Sequence, residues 1–261
     1  MPKPNLSERP FWEGTGDRFP AFFKAPSTLY YRDCEQNLFR TYFGSLPGAR
    51  LFKTDLWDEA KNTQILIWAA AMGADVYGID IASSIVGEAS RQFAARGVSG
   101  RFVTADLRSV PFAENAFDYI YSMGTIEHFP EYRLAVRECH RVLKKGGRAI
   151  IGVPNLFDPF LRPLMVSLLR AWKVYAYGYE KSFSFGSLER VLRAEGFRVV
   201  ARTGILFIPG WLRILDILLE TRTGSAGFWT RPFVYFFARL QGRHRKLGRH
   251  GYLIACVVEK P

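Results

Sequence analysis

The chain has 261 residues, 48% of them apolar and 23% charged, which excludes a fibrous or disordered chain and suits one large α/β domain. Its three cysteines, Cys34, Cys139 and Cys256, lie far apart, which argues against a disulfide framework and against a cysteine metal site, and favours idle thiols in a reducing compartment. The formal net charge of +12 favours acidic partners in general without choosing between anionic lipid and nucleic acid.

The first ten residues are polar and Pro-containing, without the apolar core of a secretory signal. Arg162, Arg170, Lys173, Arg213 and Asp216 interrupt the longest apolar stretches, so no membrane-spanning helix is expected. Residues 1–26, with five prolines, read as an irregular arm. Gly14-Thr15-Gly16 falls in it with no strand before it and is given no phosphate-binding role. Residues 27–44 read as a helix with Ser27 as N-cap. From residue 50 strands alternate with helices: strand 50–55, helix 58–72, strand 75–80, helix 83–96, strand 100–105, strand 117–122, helix 131–143, strand 148–153. Lys144-Lys145-Gly146-Gly147 is a helix stop. Beyond Pro154 come a partly helical aromatic stretch (156–179), a helix (187–194), a strand (197–203), two apolar segments (205–219 and 228–240) and a last strand (252–259). This order predicts a mainly parallel, doubly wound sheet, with ligands beyond the carboxyl ends of its strands. A division follows: an N-terminal arm and helix (1–49), then one domain (50–261) with insertions at about 156–180 and 205–245.

The strand ends carry the candidate chemistry. Asp80 follows the stretch 75–79 and can accept hydrogen bonds from both hydroxyls of a ribose. Asp106 follows 101–105 and can accept from an adenine amine, with Leu107 supplying apolar contact. After the fourth strand, Ser122, Met123 and Gly124 offer a close backbone approach and an apolar wall. Glu127 and His128 follow as a candidate acid/base pair; packing against a ligand or bonding within the loop is the alternative for His128.

Three segments, 76–80 (VYGID), 103–107 with Pro111-Phe112 (VTADL…PF) and 117–128 (FDYIYSMGTIEH), resemble the class I S-adenosylmethionine-dependent methyltransferases, as does 138–147 (ECHRVLKKGG). The type 11 small-molecule subgroup is the nearest in pattern. The resemblance covers about residues 50–155, and 180–204 and 251–260 more loosely. It implies a Rossmann-like seven-stranded sheet with an antiparallel last strand, S-adenosylmethionine as cofactor, S-adenosylhomocysteine as product, and methyl transfer to a small-molecule nucleophile. By matching position Asp80 would hold the ribose, Asp106 and Leu107 the adenine, and Ser122, Met123 and Gly124 the methionine side, with Ile81 counted among the cofactor-binding residues. The family's acidic residue and Gly-x-Gly loop are replaced by Lys53, Thr54, Asp55, Leu56 and Trp57. An acid-rich loop repels a pyrophosphate but suits a ligand bearing an ammonium and a sulfonium, and Asp55 is the candidate to receive the ammonium. No metal ligand set is fixed by the sequence.

The insertions are where an acceptor would be chosen. Tyr175, Tyr177 and Tyr179 are spaced to line one wall for an apolar or aromatic acceptor; an ordinary core or a homodimer interface is the alternative. Segments 160–172 and 211–219 mix large apolar residues with Arg and Lys, and 243–250 adds positive charge, a pattern compatible with peripheral membrane contact by a cytoplasmic protein. No nucleic-acid module accompanies the scattered basic residues. Two other readings stay open: a non-catalytic methyltransferase-like partner, and a cyclisation or rearrangement on the same scaffold.

Overall fold

The computed structural model describes residues 8–261. Strands β1 (Arg50–Lys53), β2 (Asp75–Asp80), β3 (Arg101–Thr104), β4 (Phe117–Met123), β5 (Leu143–Pro154), β6 (Arg198–Ile205) and β7 (Leu253–Glu259) form one sheet in the order β3-β2-β1-β4-β5-β7-β6. The first five strands pair in parallel, and β7 lies antiparallel between β5 and β6. The order reverses between β1 and β4, so the crevice above their carboxyl ends is the place such a sheet offers a ligand.

Both faces of the sheet are covered, which is why the central strands read as apolar runs rather than alternating ones. Leu51, Val76, Tyr121, Ile150 and Val257 point into one core, against α2 (Pro26–Tyr42), α4 (Ile65–Ala71), α5 (Ser83–Ala94), α9 (Gly210–Thr223) and α11 (Arg231–Arg243). Their neighbours Phe52, Tyr77, Ile120, Ile151 and Val258 fill the other core, against α6 (Tyr132–Val142) and α8 (Phe185–Ala194). The helix α7 (Arg162–Ala171) packs on α9, and the single turn α10 (Ala226–Trp229) joins α9 to α11.

Four local expectations are corrected. The described part of the arm is helical: α1 (Arg9–Arg18) starts at a Pro-compatible first turn, contains Gly14-Thr15-Gly16, and uses the Thr15 hydroxyl to bond the Phe11 carbonyl at 2.9 Å; the arm's first seven residues fall outside the described range. Ser27 is not a cap; α2 begins one residue earlier, at Pro26, where a missing N–H does no harm, and the Ser27 N–H donates to Asp216 at 2.7 Å. The helix expected over 58–72 is two pieces, α3 (Trp57–Lys61) and α4, because Gln64 takes the left-handed conformation (φ 59°) and Glu59 captures the Leu66 N–H at 2.9 Å. Lys144–Gly147 lies inside β5, where Gly146 at φ +73° allows an irregular turn of backbone and the pairing with β4 jumps from Phe117↔Leu143 to Tyr119↔Arg148.

Candidate functional site

The loop after β1 is built around a buried cation. Lys53 is fully buried, and its ammonium meets Asp55 at 2.8 Å, Asp58 at 3.0 Å and Glu59 at 3.4 Å. Burial disfavours the charged amine, but the three carboxylates outweigh it and hold the Lys53 pKa well above its ordinary value. Burial also pushes the Glu59 carboxyl up to about 7 against the pull of Lys53. Asp55 has further work: it accepts from the Trp57 N–H at 3.2 Å and from the Thr125 hydroxyl at 2.8 Å. Thr54 in turn bonds Ser122 at 2.9 Å and Thr125 at 3.1 Å. These bonds fix a loop without glycine. Its bulk is accommodated next door: a Cβ on Gly78 of β2 would lie 2.4 Å from the Leu56 side chain, so Leu56 sits where only glycine leaves room.

Above this loop lies a cavity of about 240 Å³ at the carboxyl ends of β1, β2 and β4. Thr54, Asp55, Trp57, Asp80, Ile81, Leu107, Met123, Gly124, Glu127, His128, Tyr175 and Tyr177 line it. The sequence reading is thus drawn together at one place for twelve of its candidates. Four others are elsewhere. Lys53 is sealed below the floor by its carboxylates, and Ser122 is fully buried in the hydroxyl network. Asp106 turns from the cavity because Arg108 claims it, with Nη2 at 2.7 Å and its own N–H at 2.7 Å; Ala105 and Leu107 line the wall instead. Tyr179 is 43% exposed, contributes only its carbonyl, and lies beside Arg170 at 5.8 Å.

Asp80 accepts from the Leu56 N–H at 3.0 Å and the Ala82 N–H at 2.9 Å. Burial raises its carboxyl to about 7, and those two hydrogen bonds limit the rise. Gly124 adopts φ +78°, and nothing lies closer than 3.6 Å to the position of a Cβ there, so its backbone borders open space.

At the far end stand the acid/base candidates. The Nδ1 of His128 lies 2.8 Å from the Tyr179 carbonyl. A carbonyl only accepts, so Nδ1 carries the proton and Nε2 of the neutral ring is left as an acceptor. Burial lowers the His128 pKa, which keeps the ring neutral. Burial likewise holds the Glu127 carboxyl well above its usual range, helped by Glu180, and its Oε2 has no partner. The Glu127 Oε1 is 4.0 Å from Nε2. Arg162 grips Glu180 through both nitrogens, at 2.7 and 2.9 Å, Tyr175 donates its hydroxyl to Glu180, and the Arg162 guanidinium lies 4.2 Å over the Tyr252 ring.

Several lining groups had no signal in the sequence. Arg162, Glu180 and Arg213 come from the insertions, whose register against the sheet is set only by tertiary packing. Trp12 comes from α1 and meets the His128 ring edge-on at 5.0 Å. The same helix and its N-cap residue hold two more strand-end loops: Glu13 accepts from the Ser83 N–H at 2.7 Å and the Ser84 N–H at 3.1 Å at the start of α5, and the cap residue Glu8 meets Arg108 at 3.5 Å. Among the described residues there is no cluster of three His, Cys, Asp or Glu side chains suited to a metal ion, and no helix long and apolar enough to cross a membrane.

The strand order with its antiparallel β7 is the Rossmann-like fold found in methyltransferases, and the acid-walled crevice lies at its switch point. Residues 61–151 match the family model described as a methyltransferase domain. A demethylmenaquinone methyltransferase of Thermus thermophilus is 34% identical over 97 residues, covering 37% of this chain and 44% of that protein. A ubiquinone biosynthesis O-methyltransferase of Sinorhizobium fredii is 27% identical over 215 residues, covering 76% of this chain and 82% of that one. Among solved structures, a putative methyltransferase of Haloferax volcanii in complex with the Trm112 activator has a TM-score of 0.63 at 16% identity, over 98% of both chains. The [4+2]-cyclase SpnF has 0.61 at 17%, over 97% of this chain and 92% of that one; likeness at such identities speaks for the fold alone.

Proposed function

We propose that the protein transfers a methyl group from S-adenosylmethionine to a hydroxyl on a small, largely apolar aromatic acceptor. The observation that carries this reading is the neutral His128, with Nδ1 anchored on a carbonyl and Nε2 free beside aromatic rings in the cavity. The residues present suit the cofactor. Asp80 would receive the ribose hydroxyls, Leu107 and Ile81 would flank the nucleoside, and the carboxylate-rich floor at Asp55 and Asp58 would face the cationic amino-acid end. The bound cofactor supplies an electrophilic methyl on a sulfonium. The chain's own part is to exclude water, align the acceptor, and take the hydroxyl proton on His128 Nε2, while the neutral Glu127 carboxyl donates a hydrogen bond to an acceptor oxygen. Trp12, Tyr175 and Tyr177 supply the flat apolar walls an aromatic ring needs. The two relatives are named for demethylmenaquinone and for ubiquinone biosynthesis, and a ring of the quinone type fits this lining.

The acceptor's source is the membrane surface, reached from the cytoplasm. Supporting this, exposed apolar side chains gather on the appended helices: Leu164, Leu168 and Trp172 at α7, Trp211 and Leu215 on α9, Phe233 and Phe236 on α11. Arg170, Lys173, Arg231 and Arg239 lie among them, exposed and outside any ion pair among the described residues. Apolar anchors interleaved with free basic charge complement an anionic bilayer. The buried, unpaired thiols agree with a reducing compartment.

The test is methyl-labelled cofactor with hydroquinone or catechol acceptors. Label in the isolated product, with kcat lowered by about 10²–10⁴ in His128→Asn, is the expected result. A converted but unlabelled product would establish the cyclisation reading, and no heat of binding at millimolar cofactor would establish the non-catalytic one.

A further inference from the structure

Two buried guanidinium groups line the cavity, and only one has a counter-ion. Arg162 is matched by Glu180. Arg213, on α9, is 8% exposed and has no carboxylate within 4.0 Å among the described residues. Its Nη1 makes two long contacts, 3.3 Å to the Ser27 carbonyl and 3.3 Å to the Ser27 hydroxyl. Its Nε and Nη2 have no hydrogen-bond partner among the described residues. The nearest acid in sequence, Asp216, is engaged by the Ser27 N–H at 2.7 Å and by the Thr230 hydroxyl. A buried guanidinium left half-satisfied is strongly unfavourable unless a ligand completes it. The contrast is one of charge: Arg162 has a carboxylate at this end of the cavity, and Arg213 has none among the described residues.

The location selects the ligand group. Arg213 stands 5.3 Å over the ring of Tyr31, which also lines the cavity. Asp55 and Asp58 line the same cavity as Tyr31 and Arg213, so an acidic floor and an unpaired guanidinium border one space. A free amino-acid group carries an ammonium and a carboxylate on one carbon. It fits between an acidic wall and an unpaired guanidinium, and a planar fork of N–H donors is the natural partner of a carboxylate.

We propose that Arg213 is the carboxylate anchor for the amino-acid end of the cofactor, so that an appended helix supplies the grip which a glycine-rich loop would otherwise share. This rests on the cofactor assignment above. It also explains why a loop with Asp55 and Trp57 in place of glycine is compatible with binding: backbone N–H groups are not required to receive the carboxylate.

The experiment is a chemical double-mutant cycle read by titration calorimetry, independent of turnover. The ligands are S-adenosylhomocysteine, its analogue lacking the carboxylate, and 5′-methylthioadenosine, which lacks the whole amino-acid group. The proteins are the full chain, Arg213→Met and Arg213→Lys. Deleting the ligand carboxylate is expected to weaken binding to the wild type on the order of 10–100-fold, and to leave binding to Arg213→Met nearly unchanged. Methylthioadenosine is expected to bind all three proteins alike, which certifies their folds. Should Arg213→Met fail to fold, the cycle runs on Arg213→Lys, where the penalty for losing the ligand carboxylate shrinks because a point charge replaces the fork. Equal penalties in wild type and variants overturn the proposal, as does a loss of methylthioadenosine affinity as large as that of S-adenosylhomocysteine. Failure of the wild type to bind any of the three nucleosides sinks the cofactor assignment itself, a distinct result.

Discussion

Replacing Lys53 by Met removes a fully buried cation and leaves Asp55, Asp58 and Glu59 facing one another beneath the cavity floor. Breaking a buried ion pair from one side costs about 3–5 kcal/mol, because the carboxylates keep their desolvation and lose their compensation. Met matches the lysine stem in shape, so little of the loss comes from packing. At about 2–4 °C per kcal/mol for a chain of this size, the melting temperature should fall by roughly 6–20 °C at pH 8. The pH dependence is diagnostic. Without the lysine the orphaned acids bind protons more tightly in the folded than in the unfolded chain. A group of that kind contributes stability that is present at low pH and lost as pH rises through its folded-state pKa. Glu59 already stands at about 7 in the intact protein, held down by Lys53, so without the lysine it rises further and the deficit should be small near pH 5 and much larger at pH 8. Thermal denaturation followed by circular dichroism at both pH values is the assay. A drop below about 2 °C at pH 8, or one that does not change with pH, refutes the idea that the ammonium neutralises this cluster.

Two further outcomes follow from the same geometry. Because Asp80 is held at about 7 and accepts best when ionised, lowering the pH from 8 to 6 should weaken S-adenosylhomocysteine binding by roughly tenfold; Asp80→Asn should bind weakly at every pH and show no such slope in calorimetry. Glu13 caps the start of α5 from another helix: burial opposes its ionisation, but the hydrogen bonds from Ser83 and Ser84 bring its pKa to about 2. Glu13→Ala should therefore cost about 1 kcal/mol above pH 5, an advantage of the intact protein that fades as pH falls from 4.5 toward 2, and should speed amide exchange at Ser83 and Ser84.

The sheet and the strand-end candidates were legible because local physics decides them. Apolar runs ending in Asp80, Ser122 or Pro154 state where strands stop, and a parallel sheet then dictates which ends meet. Asp106 shows where that reasoning stops: its position is as expected, yet two residues later Arg108 takes the carboxylate, and side-chain pairing cannot be read from strand spacing. The break at Gln64 was hidden for a similar reason, since nothing in an Ala-rich stretch announces that Glu59 will compete for the Leu66 N–H. Arg162, Glu180 and Arg213 were out of reach because helices without a sheet register can present any face to the cavity until they are packed. Tyr175 and Tyr177 reach the lining while Tyr179 does not, a difference set by the turn around Gly178, where φ is +64°.

The position of α1 bears on the order in which the molecule can assemble. Its anchors, the amides of Ser83 and Ser84, the guanidinium of Arg108 and the ring of His128, all lie far downstream, the nearest 70 residues away. On a ribosome this helix leaves the tunnel ahead of everything it binds, and it has only a marginal tendency to persist alone at ten residues. The first helix of the described chain is thus among the last to settle, and the rim of the crevice that it forms becomes rigid only after the fourth strand has been made.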